Sequence, residues 1–306
     1  MLKRARPARR TIRRSRGEQI GYCFICLILG LFAFSTIYPV WHVIMYSFSD
    51  SKKAMSGGLF FWPRGFSTLS YEMVFHTGQI WIAYRNSLLV LLAGTVSAVF
   101  LSAITAYPLS RRRLKGRGAL CMFFFFTMLF SGGTIPLYRQ VSRLGLLDTF
   151  WAMVLPTVIS VYNMFILRNF MQSIPDSLEE SARLDGANDV VILFRIILPM
   201  CTPSLAAIAM FYGVAYWNNY MNCLLYTNSN SLQVLPLYLC TVLNGAAANA
   251  LSGSGEVSKL GEAASTLTEE SVKMTTVAVS VIPIVILYPF LQRFYTRGIT
   301  VGAVKG

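Results

Sequence analysis

Six apolar stretches, each long enough to cross a lipid bilayer, leave this chain few folds to choose from. They run Ile20–Tyr46, Ile80–Leu109, Ala119–Tyr138, Phe150–Phe170, Met200–Tyr226 and Val272–Tyr295. A helix needs about 20 mostly apolar residues to span the hydrocarbon. It is the natural spanning element because every backbone polar group must be satisfied inside the segment. The pattern therefore predicts an all-α integral membrane fold of six transmembrane helices. Composition agrees. The 306 residues are 55% hydrophobic and only 13% charged, whereas soluble domains carry charge on about 25% of theirs. Two other apolar pieces are too short to cross. Leu232–Leu243 holds Pro236 and is expected to form a surface or re-entrant helix, and Gly58–Trp62 is shorter still. The first run is too long for a signal peptide and lacks a small-residue cleavage site, so it is expected to be retained.

The formal charge of +14 raises the question of nucleic acid, which clustered Lys and Arg would bind. Placement argues otherwise. Lys3, Arg4, Arg6, Arg9, Arg10, Arg13, Arg14 and Arg16 precede the first apolar run, and Arg111, Arg112, Arg113, Lys115 and Arg117 lie between the second and third. No stacking or base-reading residues accompany them. Cytoplasmic loops collect Lys and Arg, and with the N-terminus inside, 19 of the 27 basic residues fall on the cytoplasmic side. Both termini and the loop between spans four and five are then cytoplasmic. Residues 1–18 form a basic tail and residues 19–306 the membrane domain, with anionic membrane lipid as a secondary partner of the basic segments and no nucleic acid.

Several chemistries are set aside on residue patterns. Cys23 and Cys26 form a CxxC with no second cysteine pair or nearby histidine, so no metal site is expected. The Gly253–Lys259 stretch lacks the Gly-Lys-Ser/Thr ending of a phosphate loop, and no nucleotide cofactor is expected on this chain. His42 and His76 are isolated, and no serine elbow or His-Glu-x-x-His motif suggests an enzyme. An ion-coupled secondary transporter is the principal rival reading. That class tends to place ionisable groups inside its spans, yet no carboxylate lies centrally in any of the six stretches.

The most informative segment runs from Ser173 to Pro199. Local physics predicts a helix, a sharp turn and a second helix. Ser177 with Glu180 has the spacing of a capping box, and Asp176 with Glu179 offers a competing frame. Gly186 suits the left-handed position just past a helix C-terminus. Asn188 or Asp189 can cap the second helix, and Pro199 marks the start of the fifth span. A first helix this short is marginal in water, so a partner surface would stabilise it; an ordinary capped connector would have the same outline.

Glu180-Ser181-Ala182, Asp185-Gly186 and Ile196-x-Leu198-Pro199 at these spacings resemble the EAA motif of permease subunits of bacterial ABC importers, with Ser181 replacing the usual alanine. Asp185-Gly186 resembles the carbohydrate branch. Asn86-Ser87-Leu88, Ala106–Arg111, Ile135–Tyr138, Trp217-Asn218-Asn219 and Gly302–Gly306 extend the likeness over nearly the whole chain. It is similar to the branch holding the second maltose permease and the LplB- and YtcP-type oligosaccharide permeases. The resemblance implies a multi-pass protein of the bacterial plasma (inner) membrane that imports a carbohydrate by alternating access. It also implies a second homologous permease subunit, two copies of a cytoplasmic ATPase that hold ATP and Mg, and an extracytoplasmic sugar-binding protein or lipoprotein. The loop around Glu180, Ser181, Ala182, Asp185, Gly186, Ile196, Leu198 and Pro199 would be the helix that couples to the ATPase, with Lys305 and Gly306 as further contacts.

Sugar sites combine aromatic faces with amides and hydroxyls. Tyr162, Asn163, Tyr216, Trp217, Asn218 and Asn219 supply those groups inside spans and are candidates for the substrate path. Interhelical hydrogen bonding and anchoring would use the same residues. Ser131-Gly132-Gly133-Thr134 predicts a break in the third span, of the kind that can border a transport path.

Overall fold

A computed structural model describes residues 16–244, 267–283 and 285. The described residues are helical throughout, apart from loops and one isolated antiparallel bridge between Ser49 and Phe66. In chain order the helices are α1 (Arg16–Ser47), α2 (Leu69–His76), α3 (Gln79–Ser110), α4 (Arg117–Leu129), α5 (Thr134–Arg143), α6 (Phe150–Val154) and α7 (Val161–Gln172). There follow α8 (Asp176–Leu184), α9 (Asp189–Ile192), α10 (Thr202–Asn218), α11 (Met221–Tyr226), α12 (Leu235–Leu243) and α13 (269–283). The predicted sixth span, Val272–Tyr295, continues past the described residues, and the basic tail before Arg16 lies outside them.

Among the described residues, only α1 and α3 are single helices long and apolar enough to cross a membrane. The third, fourth and fifth predicted spans are bent pairs. α4 and α5 meet at 111°, at the predicted Ser131–Thr134 break, where Gly133 takes a φ of +87° that a side chain would disfavour. The fourth bends by 55° between Phe150–Thr157 and α7. The fifth turns by 84° between Asp189–Met200 and α10. Pro156, Pro199 and Pro203 lie beside the last two bends, and each removes a backbone donor from the helical ladder. α10 therefore starts at Thr202, with Cys201 at its cap, past Pro199.

α3, α7 and α10 enclose the main core. Gly94, Ala98, Ser102, Ala106 and Ser110 of α3 recur every fourth residue and are all buried. Small residues on one face let helix backbones approach closely, which is how helices associate where lipid offers no hydrophobic drive. Met164, Leu167 and Met171 of α7 and Ile208 and Tyr212 of α10 fill the space opposite. The apolar window of α1, by contrast, has no part buried against the rest of the chain.

Leu232–Leu243, expected to form a surface or re-entrant helix, is a short helix from Leu235 that packs inward. α12 buries Leu235, Tyr238 and Val242 in a second cluster with Ile80, Ala83 and Trp217. Its start is tied to α3 by hydrogen bonds: Asn86 Nδ2 donates to the carbonyls of Ser231 (2.7 Å) and Gln233 (3.0 Å), and Ser87 Oγ accepts from the Leu235 N–H at 2.8 Å. Pro236 falls in the first turn of α12, where its missing donor costs nothing.

Candidate functional site

The hairpin from Pro175 to Pro199 is built largely as its residues dictate. α8 ends in a full Schellman motif. The Ala187 N–H donates to the Ala182 carbonyl and the Gly186 N–H to that of Arg183, each at 2.9 Å. Gly186 has a φ of +87°, and the space where a Cβ would point is open. Asn188 caps the next helix, its Oδ1 accepting from the Val191 N–H at 2.9 Å. The N-terminus of α8 differs from expectation. Pro175 occupies the cap and no side chain caps the helix, so neither capping box forms. Asp176 and Glu179 of that first turn are used for ion pairs instead.

Those pairs are the feature that sequence reasoning missed. Arg111, just past the end of α3, lies 2.7 Å (Nε) from Glu179 Oε1 and 3.3 Å (Nη1) from Asp176 Oδ1. The side chains of Arg111 and Glu179 are each only 4% exposed. The Arg111 guanidinium also lies 5.5 Å from the centre of the Tyr107 ring. Arg183 bridges Glu179 (3.2 Å) to Asp189 (3.1 Å), and Arg113 reaches the same Asp189 oxygen at 2.5 Å. The hydrogen bond from Arg113 holds the Asp189 carboxyl below its usual range, burial opposes it, and the charges of Arg113 and Arg183 add to the lowering. A basic loop and an acidic helix are thereby locked together. Arg111 could have been singled out because it closes the Ala106–Arg111 motif, and charge counting alone gave it a topological role only.

The predicted motif residues divide by direction. Glu180, Ser181, Asp185 and Gly186 are exposed beside Leu184, whose side chain is 90% exposed, and Ala182 is half-buried. Ile196 and Leu198 pack against the main core, while Pro199 is exposed at the bend. One part of the motif thus presents a surface and the other anchors it. Lys305 and Gly306 lie outside the described residues.

A second feature is a cleft of about 210 Å³ lined by Thr157, Ser160, Asn163, Tyr212, Ala215, Tyr216 and Asn219. Three of the six predicted path residues, Asn163, Tyr216 and Asn219, meet there. The other three do not. Tyr162 faces outward at 63% exposure, Trp217 is buried in the second cluster, and the Asn218 amide bonds its own helix at the Val214 carbonyl. Tyr212, Ser160 and Thr157 join the lining instead. Tyr212 Oη lies 2.7 Å from Ser102 Oγ and accepts from the Ser160 N–H at 2.9 Å. Tyr216 Oη donates to the Val154 carbonyl at 3.1 Å. The lining carries hydroxyls, amides and ring faces, and no Asp, Glu, His, Lys or Arg. Among the described residues no group of His, Cys, Asp and Glu could hold a metal ion.

The described residues thus form a bundle of apolar, partly bent helices whose outward-facing hairpin is tied to the core by buried charge. Residues 98–301 match the family described as "Binding-protein-dependent transport system inner membrane component", and the chain belongs to that family. It is similar to the polygalacturonan/rhamnogalacturonan transport system permease protein YtcP of Bacillus subtilis, with 42% identity over 92% of this chain and 98% of the relative. Protein LplC of the same organism is 35% identical over 95% of this chain and 96% of its own length. A chain in the crystal structure of a bacterial ABC transporter that imports the acidic polysaccharide alginate superposes with a TM-score of 0.83. It is 29% identical and aligns over 93% of this chain and all of that one. The chain is accordingly a membrane-embedded permease component, and ATP hydrolysis belongs to a separate subunit of such systems.

Proposed function

We propose that this chain forms, with a second homologous permease subunit, the membrane path of an ATP-driven importer for an oligosaccharide in the bacterial plasma membrane. An extracytoplasmic binding protein delivers the sugar, and two cytoplasmic ATPase subunits, holding ATP and Mg, drive the cycle. Six spans with both termini inside complete the topology. The observation that carries this reading is the exposed end of α8, around Glu180, Ser181, Ala182, Asp185 and Gly186, backed by a buried ion pair to the end of α3. A handle must be accessible to its driver and rigidly joined to what it moves.

Alternating access requires the driver to favour one membrane state over the other, and shifting a population from 1:99 to 99:1 takes about 5.5 kcal/mol. A helix connected only by flexible loops would dissipate that bias. Here α8 is linked to α3 through Arg111 and Glu179, and to the bent start of the fifth span through Arg183 and Asp189, so a push on α8 is felt by two core helices. Ile196, Leu198 and Pro199 form the base of the lever, and Lys305 and Gly306 are secondary contacts. The Thr157–Asn219 cleft, with Asn163 and Tyr216, is the assigned substrate path on this chain; its hydroxyls, amides and rings suit a sugar's hydroxyls and CH faces. The YtcP relative is named for polygalacturonan/rhamnogalacturonan transport and the superposed structure for import of alginate, and both support a carbohydrate.

Uptake of oligosaccharides by the reconstituted complex tests the proposal. Transport that requires internal ATP and binding protein, and that survives collapse of the proton gradient, is the expected result. Gradient-driven uptake without ATP would replace this reading with an ion-coupled one.

A further inference from the structure

Two clefts lie along one face of α3 and share Ile104 in their linings, and together they make one groove. The first, of about 290 Å³, is lined by Val96, Val99, Phe100, Ile104, Phe194 and Leu198 among others, and its walls are almost wholly apolar. The second, of about 470 Å³, begins at the same Ile104 and is lined by Tyr107, Arg111, Arg113, Lys115 and Asp189 among others. The lining positions of α3 recur at four-residue spacing, from Val96 through Phe100 and Ile104 to Pro108, which places them in one row along the helix. From Val96 to Ile104 the row is about 12 Å long at 1.5 Å per residue. One leaflet of hydrocarbon is about 15 Å thick. The apolar part therefore has the length of a leaflet, and the basic part begins where headgroups would lie.

We propose that this groove binds an anionic phospholipid of the surrounding bilayer. An acyl chain would lie along Val96, Phe100 and Ile104, with Phe100 and Phe194 stacked at 6.2 Å forming one wall. The phosphate would lie at Arg113 and Lys115. Of the three cations lining the basic cleft, Arg111 is paired with Glu179 and Asp176 and Arg113 with Asp189, which leaves the Lys115 charge, without an ion pair among the described residues, to attract an anion. A second observation points the same way. Tyr107 Oη and Arg111 Nη2 are buried and have no hydrogen-bond partner, although both residues line the cleft and are 95% or more buried. Buried polar atoms without partners are uncommon, and a headgroup phosphate with its glycerol oxygens supplies acceptors and, through water, donors. The site is separate from the outward surface of α8, yet it shares Arg111, Arg113 and Asp189 with the network that holds α8 in place. Lipid bound there would stiffen that network.

Native mass spectrometry of the whole importer complex, released from nanodiscs of phosphatidylglycerol and phosphatidylcholine at 1:4, tests this. The parent complex is expected to retain phosphatidylglycerol above its mole fraction. Lys115→Gln, a change that touches none of the ion pairs, should lower retention about fivefold, and adding Arg113→Gln about fivefold more, the effect of removing one surface cation each time. Ile104→Trp, which fills the junction, should lower lipid retention without changing binding of inorganic phosphate. Equal retention of the two lipids, or no effect of Lys115→Gln and Ile104→Trp, would overturn the proposal. So would phosphate displacing all bound lipid, which marks a plain anion site. Retention only when the ATPase subunits are stripped away would also overturn it, because the face would then belong to a protein partner.

Discussion

Arg111 Nε and Glu179 Oε1 lie 2.7 Å apart with both side chains 4% exposed, joining the end of α3 to the first turn of α8. The two atoms are paired as ions without the alignment of a hydrogen bond, so the contact depends on charge more than on direction. Breaking a buried pair by removing one partner leaves an uncompensated charge and costs about 3–5 kcal/mol. Arg111→Leu or Glu179→Leu is therefore expected to destabilise the purified complex strongly, whereas Arg111→Leu with Glu179→Leu should recover most of the loss. Thermal unfolding of the three variants checks this, and the double variant tests coupling as well, because it keeps stability while losing the rigid link.

At Gly186 the backbone carries the constraint. Its φ of +87° is unfavourable for a side chain, but nothing lies within 4 Å of a Cβ. The left-handed conformation costs an L-residue about 1–2 kcal/mol, and Asn tolerates it better than other side chains. The expected order of uptake rates is Gly186, then Gly186→Asn, then Gly186→Ala, then Gly186→Val, at similar amounts of protein in the membrane.

Gly94 presents the opposite case. A Cβ there would lie 2.8 Å from the Tyr216 ring, the ring whose hydroxyl reaches the Val154 carbonyl. Gly94→Ala must push Tyr216 aside, with an overpacking cost of about 1–3 kcal/mol. Shortening the ring in the double variant Gly94→Ala/Tyr216→Leu should relieve the strain, so that its unfolding temperature exceeds that of Gly94→Ala alone. Uptake should fall in both, because both alter the cleft lining.

Asp148 provides the pH dependence. It has a φ of +55°, unusual for a residue other than glycine. Its N–H donates to the Tyr226 carbonyl at 2.7 Å, and its carboxylate accepts from the N–H groups of Asn228 and Ser229, each at 2.9 Å, and from Ser229 Oγ. The Ser229 hydroxyl, then the Ser229 and Asn228 N–H groups, hold its carboxyl below the ordinary value of 3.8. A depressed carboxyl favours the folded state above the ordinary value, and that contribution is lost as pH falls through the lowered one. Order in the loop at 227–229 should thus be independent of pH from neutrality to about pH 4 and fall below that. Asp148→Asn should remove the dependence and loosen the loop at every pH, as read by hydrogen exchange at Asn228 and Ser229.

Much of this was legible in the sequence. The apolar runs, the Ser131–Thr134 break, the left-handed Gly186 and the Asn188 cap depend on local chemistry, which a linear chain displays. The bends near Pro156 and Pro199 were less so, because a proline inside an apolar run can be tolerated when neighbouring helices satisfy the freed groups. Arg111–Glu179 and Tyr212–Ser102 were invisible for another reason. Each joins residues more than sixty positions apart, and only the folded bundle brings them together. Tyr162 and Trp217 were candidates on residue type, and helix rotation turned one outward and the other into a different core. The capping box failed because Pro175 occupied the cap and the acids found stronger partners in arginine.

In the proposed coupling an ATPase grips the exposed end of α8 and moves α3 through it. Its most direct test is the ATPase rate of the reconstituted complex with loaded binding protein, measured for Gly186→Asp and for Leu184→Asp. Both variants are expected to assemble in the membrane yet lose at least tenfold in sugar-stimulated hydrolysis, a loss of about 1.4 kcal/mol in coupling. Full stimulation in both variants would contradict it.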